Sequence, residues 1–361
     1  MRIVVTGGLG FIGSHTVVEL QNEGFEVVII DNLSNSTEEV LKGIVAITGK
    51  LPIFEKLDLR DKSSVQDFFR RYPDVKDVIH FAASKAVGES VEDPLLYYEN
   101  NIASLIYLLQ ELQKKPEANF IFSSSCTVYG QTGTLPINEN AAIQPAMSPY
   151  GNTKQIGEEI IADAAKISGI NAVLLRYFNP IGSHPSAEIG ELPIGVPQNL
   201  VPFMTQTGIG LRKELLVYGN DYPTPDGTCI RDYIHVVDLA RAHVVSLQRL
   251  LDRNNLDKVE IFNLGTGIGS SVLEVINAFE KVSGQKLPYK MVNRRQGDSS
   301  SAYAKTDKAN NVLGWKTQST LEEAIASAWK WEQKIRRNQL IPGNQEKNRL
   351  HYLKQRTKNP E

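Results

Sequence analysis

The stretch that most constrains the fold is a strand, a glycine-rich turn and a helix at the start of the chain. A β-branched run from Ile3 to Thr6 predicts a buried strand. Gly7, Gly10 and Gly13 follow, and a helical apolar pattern begins at once. Glycines in this context permit a tight turn and close backbone approach to phosphate, while the helix N-terminus offers free N–H groups. The stretch therefore predicts a dinucleotide site.

An acidic residue at the end of the next predicted strand supports this interpretation. Glu26 to Ile30 reads as a strand, and Asp31 follows it, eighteen residues after Gly13. A carboxylate there accepts hydrogen bonds from an adenosine ribose and repels a 2′-phosphate, so NAD is favoured over NADP. The alternative is a structural glycine turn with Asp31 as a helix cap. Strand, spacing, helix and acid together favour the cofactor site.

The order of predicted elements indicates the fold class. Strands and helices alternate from residue 1 to about 177, which predicts an α/β protein with a doubly wound parallel Rossmann-type sheet. After Asn179 the chain is rich in Gly and Pro, which predicts a smaller C-terminal α/β lobe that binds substrate. We predict a nucleotide-binding domain at 1–179, a mainly substrate-binding lobe at 180–333 and a flexible basic extension at 334–361.

Several single elements are also predicted. A long helix is expected at about Leu95–Gln113, another at Ser148–Ile167, and a late strand at Val259–Asn263. A last helix begins near Leu321 and is expected to end at Trp329 and Trp331.

Composition excludes several partners. The net charge of −2 gives no strong attraction to polyanions or membranes, so we expect neither nucleic-acid nor membrane binding. The basic residues of 334–361 would also suit an arm that binds nucleic acid or a membrane, although a solvated C-terminal extension is favoured. Cys126 and Cys229 are the only cysteines, and the histidines have no metal-site spacing, so neither disulfides nor a metal site is expected. No signal peptide precedes the first strand, and we predict a cytoplasmic location.

A tyrosine and a lysine four residues apart predict proton-transfer chemistry. Tyr150 and Lys154 follow Pro149 at an expected helix start, so they share one helical face. An ammonium beside a phenol is expected to lower the phenol pKa, which lets tyrosine exchange a proton with a sugar hydroxyl. Ser125, at the end of an earlier strand, is placed to bind the reacting oxygen; the alternative is a loop of capping serines. We predict Tyr150, Lys154 and Ser125 as the catalytic set.

The glycine spacing, Thr-Gly-x-x-Gly-x-x-Gly, is similar to that of the extended short-chain dehydrogenase/reductase family. Within it, the chain resembles the UDP-glucose 4-epimerases over about residues 1–332. The resemblance is carried by long motifs: VTGGLGFIGSH at 5–15, DNLSNS at 31–36, KAVGES at 85–90, RYFNP at 176–180, GNDYPT at 219–224 and RDYIHV at 231–236.

The resemblance implies transient oxidation of a UDP-sugar at C4 by tightly held NAD, with Tyr150 exchanging the O4 proton. It also implies a homodimer packed through helices near 95–113 and 150–167. The cofactor-binding positions are Gly7, Gly10, Phe11, Ile12, Gly13, Asp31, Asn32, Asn35, Ser36, Asp58, Leu59, Phe81, Ala82, Ala83, Lys85, Asn100, Tyr150, Lys154 and Phe178. The substrate-binding positions are Ser125, Asn179, Asn199, Leu200, Leu216, Tyr218, Arg231, Tyr233, Arg295, Asp298 and Ala302.

One departure bears on specificity. Ala302 stands where the family carries a bulky tyrosine or a small cysteine, and this position limits the room for an N-acetyl group. The resemblance therefore implies that UDP-GlcNAc and UDP-GalNAc are substrates beside UDP-glucose and UDP-galactose.

Two other functions compete with epimerisation. A sugar-nucleotide 4,6-dehydratase needs an extra acid and base, usually carboxylates just after the serine, but Cys126 and Thr127 stand there. A non-catalytic dinucleotide sensor would keep the fold and lose the chemistry, and the presence of Tyr150 and Lys154 argues against it.

Overall fold

The computed structural model describes residues 1–295 and 298–340, and a seven-stranded sheet lies at its centre. Every pairing in this sheet is parallel. Its strands are β1 (Arg2–Thr6), β2 (Glu26–Asp31), β3 (Ile53–Lys56), β4 (Asp77–His80), β5 (Asn119–Ser125), β6 (Asn171–Tyr177) and β11 (Val259–Leu264), in the spatial order β3-β2-β1-β4-β5-β6-β11. The strands outside this sheet are β7 (Asn179–Ile181), β8 (Leu215–Tyr218), β9 (Ile230–Arg231), β10 (Tyr233–His235), β12 (Ser270–Ser271), β13 (Tyr289–Val292) and β14 (Ser301–Ala302).

The helices connect these strands and cover both faces of the sheet. They are α1 (Phe11–Asn22), α2 (Glu39–Thr48), α3 (Lys62–Arg71), α4 (Val87–Glu92), α5 (Pro94–Tyr98), α6 (Ser104–Leu112), α7 (Pro149–Ile167), α8 (Leu200–Gly208), α9 (Val236–Leu251), α10 (Val272–Ser283) and α11 (Leu321–Leu340). A π-helical segment, Glu99–Ala103, joins α5 to α6, so the predicted long helix is formed by three consecutive segments.

Alternating side chains of the strands build two cores. Val5 packs in a core with Leu20 of α1 and Leu239 of α9, whereas the adjacent Val4 packs with Phe68 of α3 and Leu108 of α6. Successive side chains of a strand point to opposite faces, so a strand buried on both faces needs an unbroken apolar run such as Ile3 to Val5. The predicted doubly wound parallel fold is confirmed.

The last strand of this sheet comes from late in the sequence. β11 pairs in parallel with β6 along its whole length, and α9 packs against α1. The late strand was predicted, but α9 was not; eleven of its sixteen residues are buried. The domain boundary at 179 stays a prediction. Although they come later in the chain, β11 belongs to the central sheet and α9 packs on the cofactor side of the molecule.

The remaining elements form the smaller C-terminal part. β7 pairs with β10, β8 pairs with β13, and β9 lies between β12 and β14. A third core joins Met204 of α8, Val217 of β8, Phe279 of α10 and Trp329 of α11.

The predicted end of the last helix is wrong, since α11 continues past Trp331 to Leu340. Glu332 pairs with Arg336 one turn later (2.7 Å), and Lys334 pairs with Glu188 (2.5 Å), which stabilises the added turns. The rest of the predicted extension, 341–361, lies outside the described residues. Within the described ranges, no helix is both long and apolar enough to span a bilayer.

Candidate active site

The glycine loop lies where the order of the strands reverses, between β1 and β4. Gly7 adopts a positive φ of 66°, and its amide donates to the Ile30 oxygen at the end of β2 (2.7 Å). A Cβ at Gly7 would lie 2.8 Å from the Ala82 nitrogen after β4, and one at Gly13 would lie 2.2 Å from the Gly7 oxygen. The loop is therefore packed against its neighbours on two sides, as the sequence predicted.

The loop fits a dinucleotide phosphate. Gly10 is the N-cap of α1 and has no side-chain cap, so the first-turn amides are free to bind an anion. Asp31 is buried and accepts hydrogen bonds from the Leu9 amide (3.1 Å) and the Ser36 hydroxyl (2.8 Å). It thus ties the glycine loop to the loop after β2, and its position at the end of β2 is the one predicted for a ribose ligand.

Among the predicted cofactor-binding residues, Asp58 is already paired. Its carboxylate accepts from the Arg60 guanidinium (Nε 3.1 Å, Nη2 2.8 Å), from the Arg60 backbone amide (2.9 Å) and from Asn32 (3.3 Å). The Arg60 guanidinium holds the pKa of Asp58 below its usual range. Leu59 is buried beside this pair, and Asn35 is exposed. The pairing of Arg60 with Asp58 was not predicted, although the two residues stand only two positions apart in the sequence.

The residues after β4 form the next part of the predicted cofactor site. The centre of the Phe81 ring lies 4.6 Å from the centre of the His243 ring on α9, so the two rings pack against each other. Asn100 donates to the Ser84 hydroxyl (3.1 Å), so the π-helical segment contacts the loop that carries Ala82, Ala83 and Lys85. Lys85 itself is half-exposed and lies 3.7 Å from the Glu191 carboxylate.

The three predicted catalytic residues meet beyond the carboxyl end of β5. The Ser125 hydroxyl lies beside Tyr150, where it acts to lower the pKa of the phenol, and it accepts from the Thr127 amide (3.2 Å). Lys154 is buried, donates to the Ser123 carbonyl (2.7 Å) and has its Nζ 5.9 Å from the centre of the Tyr150 ring. Ser148 caps α7 through the Gly151 amide (3.1 Å), which fixes the turn that carries Tyr150.

One electrostatic expectation is wrong. The sequence predicted that Lys154 lowers the pKa of Tyr150, but burial raises that pKa to about 12, and the neighbouring Ser125 hydroxyl opposes the rise. Burial also lowers the pKa of Lys154, to about 8. In this structure the Lys154 ammonium donates to the Ser123 carbonyl.

The predicted substrate residues lie on the strands and loops of the smaller part. Arg231 pairs with Asp298 and donates to the Ser299 carbonyl (2.9 Å), so two of the predicted substrate-binding residues are already in contact with each other. The Arg295 guanidinium stacks 4.0 Å from the centre of the Tyr218 ring. Ala302 pairs in register with Arg231 and packs against the cluster that contains Phe178.

The other predicted substrate residues are spread along this part of the chain. The Asn179 backbone amide donates to the Asp232 carbonyl (2.9 Å), and Asn199 precedes α8, where its side-chain amide donates to Glu191 (2.8 Å). Leu216 lies in β8, and Tyr233 is buried in β10. No group of three acidic, histidine or cysteine side chains in the described ranges could hold a metal.

Comparison with known proteins now places the chain. A family model described as GDP-mannose 4,6 dehydratase matches residues 4–328. The UDP-glucose 4-epimerase of Bacillus subtilis is 49% identical over 333 residues, which is 92% of this chain and 97% of that protein. The chain belongs to the UDP-glucose 4-epimerase family.

Solved structures of this epimerase family agree with the fold. The UDP-glucose-4-epimerase from Stenotrophomonas maltophila, with bound NAD and formylated UDP-arabinopyranose, is 45% identical with a TM-score of 0.89 and covers 94% of this chain and 99% of that one. The enzyme from Bifidobacterium longum, in complex with NAD+ and UDP, is 44% identical with a TM-score of 0.86, covering 92% and 98%. The predicted family and enzyme class are confirmed, and both neighbours hold the predicted cofactor. The roles of the individual site residues stay predictions.

Two buried carboxylates of this epimerase-family site escaped sequence reasoning. Asp232 is fully buried and accepts from the Thr266 amide (2.8 Å), the Gly267 amide (3.1 Å) and the Ala304 amide (3.1 Å). Glu158, on α7, contacts Ser124 and Arg176. The sequence signal for Glu158 is its spacing, since a residue four positions after Lys154 lies on the same helical face as Tyr150 and Lys154.

Proposed function

We propose that this protein interconverts UDP-glucose and UDP-galactose by inverting the configuration at C4, with NAD as its resident cofactor. The observation that carries the proposal is the grouping of Ser125, Tyr150 and the buried Lys154 at the same sheet edge as the glycine loop. An uncapped helix N-terminus and a buried Asp31 are the features that suit a dinucleotide there.

The protein's own groups would supply the proton chemistry. When bound, NAD supplies the electron-pair acceptor for oxidation at C4 and returns the pair afterwards. Tyr150 takes the O4 proton and gives it back, while the Ser125 hydroxyl holds the same oxygen. Because burial raises the pKa of the phenol to about 12, the reaction requires charge that stabilises the phenolate, and Lys154 is the buried cation on the same helical face.

The binding of a UDP-sugar would rest on the smaller part of the molecule. Arg231 has the fork of donors that suits a diphosphate, and it would exchange its pairing with Asp298 for the ligand. Arg295 and Tyr218 stack beside it and would bind the nucleotide end. The absence of a carboxylate at Cys126 and Thr127 favours epimerisation over the dehydration suggested by the description of the family model.

We also propose activity on UDP-GlcNAc and UDP-GalNAc. Ala302 is half-buried, lies in register with Arg231 and contacts the Phe178 cluster, so its small side chain leaves room beside the predicted diphosphate site.

The test is turnover of purified protein on UDP-galactose and UDP-GalNAc in parallel, without added NAD. We expect both to react, and we expect Ala302→Tyr to lose UDP-GalNAc turnover while it keeps UDP-galactose turnover. Ala302→Cys, a small replacement, is the matched control and should keep both. No turnover of either sugar, even with NAD supplied, would favour the sensor; UDP-galactose turnover alone in the wild type would exclude the specificity proposal.

A homodimer and a cytoplasmic location remain proposals as well. Leu95 of α5 and Ile167 of α7 are 76% and 85% exposed, which supports association through the predicted helices. Light scattering would report a mass of one chain or two. The partly buried Cys126 and the buried Cys229 are free thiols, which suits a reducing compartment.

A further inference from the structure

Three consecutive serines at the end of β5 each face a residue of helix α7. Ser125 lies beside Tyr150, the Ser123 carbonyl accepts from Lys154 (2.7 Å), and the Ser124 hydroxyl donates to Glu158 (2.5 Å). The three helical residues are spaced by four, so they lie along one face. Two of these contacts belong to the proposed catalytic set. The third, between Ser124 and Glu158, has no role in the proposed chemistry.

The Glu158 carboxylate is held rigidly in the interior. Glu158 is 8% exposed and Arg176 is 3% exposed, and the guanidinium donates to both carboxylate oxygens (Nε 2.9 Å, Nη2 2.5 Å). Arg176 also lies 4.8 Å from the ring centre of Tyr129, whose hydroxyl donates to Asn263 (2.6 Å). A bidentate pair fixed on both sides gives the carboxylate a single position.

We infer that Glu158 is a positioning residue of the active site, which holds the Ser123–Ser125 segment in register with Tyr150 and provides a countercharge for Lys154. It acts through Ser124 and through the field at Lys154, and it does not reach the reacting atoms. A misplacement of reacting groups by about 1 Å can cost about 100-fold in rate, so the alignment of β5 with α7 bears directly on turnover. The inference rests on the proposed epimerase function.

The effect of the Glu158 charge on Lys154 can be measured through the pKa of the Lys154 ammonium. Burial lowers the pKa of the Lys154 ammonium to about 8, and Glu158 acts against that shift. The titratable and charged groups packed around the pair are Tyr150 on the same helix, His80 on β4, Tyr129 after β5, and Arg176 and Tyr177 on β6. Since Glu158 favours the charged form of Lys154, its neutralisation lowers the pKa of Lys154 further.

Glu158→Gln tests the charge of Glu158, because glutamine keeps an acceptor for Ser124 but removes the charge that pairs with Arg176 and acts on Lys154. We expect kcat for UDP-galactose to fall about tenfold, with KM nearly unchanged. We also expect the basic limb of the kcat/KM profile to move about one pH unit lower, because Lys154 loses its proton earlier. A purely structural role would not move that limb.

Two matched variants complete the experiment. Glu159→Gln changes the neighbouring, exposed carboxylate of the same helix and should leave kcat and the pH profile as in the wild type. Ser124→Ala removes only the hydroxyl link and should lower kcat about fivefold without moving the basic limb.

The outcomes separate cleanly. A wild-type chain without turnover would overturn the proposed function and the inference with it. An active wild type whose Glu158→Gln variant keeps both kcat and the basic limb would overturn the inference alone. Should Glu158→Gln fail to fold in circular dichroism, Ser124→Ala decides, since an unchanged kcat there would overturn the positioning role.

Discussion

Replacing Gly13 by alanine asks whether the glycine loop is a packed structure or merely a flexible one. Gly13 is the third residue of α1, and a Cβ there would lie 2.2 Å from the Gly7 oxygen and 2.9 Å from the Gly8 Cα. Both neighbours are backbone atoms, so no side chain can rotate to make room. The loop between β1 and α1 would have to move.

Two effects of opposite sign determine the magnitude. Alanine in a helix interior is about 1 kcal/mol better than glycine, whereas overpacking costs about 1–3 kcal/mol. Because the contact at Gly13 is with rigid backbone and very short, we expect the upper end of that cost. The net prediction is a loss of about 2 kcal/mol in the free energy of unfolding, and weaker NAD binding because the first-turn amides shift.

Gly10→Ala is the matched control for this prediction. Gly10 has φ −72° and ψ 175°, which alanine adopts freely, and its Cβ would approach only the Gly7 oxygen, at 3.2 Å. We expect stability within about 0.5 kcal/mol of the wild type but weaker NAD binding, since the methyl group stands at the uncapped helix N-terminus. Urea unfolding followed by circular dichroism and NAD titration followed by fluorescence give the two quantities. A Gly13→Ala chain as stable as the wild type would refute the packing argument.

Three further outcomes are expected. Tyr150→Phe should lower kcat about 1000-fold while the Kd for UDP-galactose, measured by calorimetry, changes little, and substantial turnover would contradict its role as the proton-exchanging group. Arg231→Met should raise KM for the UDP-sugar by tenfold or more at unchanged NAD content, since a bidentate donor is lost; an unchanged KM would exclude it from the diphosphate site. His80 is buried and neutral with its pKa lowered to about 3, so the unfolded state takes up more protons below about pH 6.5. The free energy of unfolding should therefore fall by about 2 kcal/mol from this group between pH 6.5 and 5, and His80→Gln should give a shallower decline in urea titrations.

Local patterns in the sequence were sufficient for the alternating strands and helices of residues 1–177. Each strand and helix there has its own periodicity, and parallel strands place their carboxyl ends on one edge, so Gly7, Asp31 and Ser125 could be assigned to that edge in advance. The positions of Tyr150 and Lys154 followed from the start of one helix.

Features that depend on distant contacts could not be predicted in the same way. The Arg231–Asp298 pair joins residues 67 positions apart, and neither local sequence indicates the other. The sign of the pKa shift of Tyr150 depends on how deeply the phenol is buried, which spacing within α7 does not report. The late return of the chain to the sheet, through α9 and β11, is likewise a property of topology.

That return has a consequence for how the protein is made. Until residues 259–264 leave the ribosome, β6 has no partner on its outer side, and its backbone N–H and C=O groups form an open sheet edge. α9 is also needed to cover α1, so the cofactor-side half of a nascent chain exposes both an edge and an apolar helix face while the substrate side is still being synthesised. We therefore expect the cofactor-side half to complete its fold only after residue 264 has been synthesised. We also expect a fragment that ends at residue 179 to aggregate through the open edge of β6.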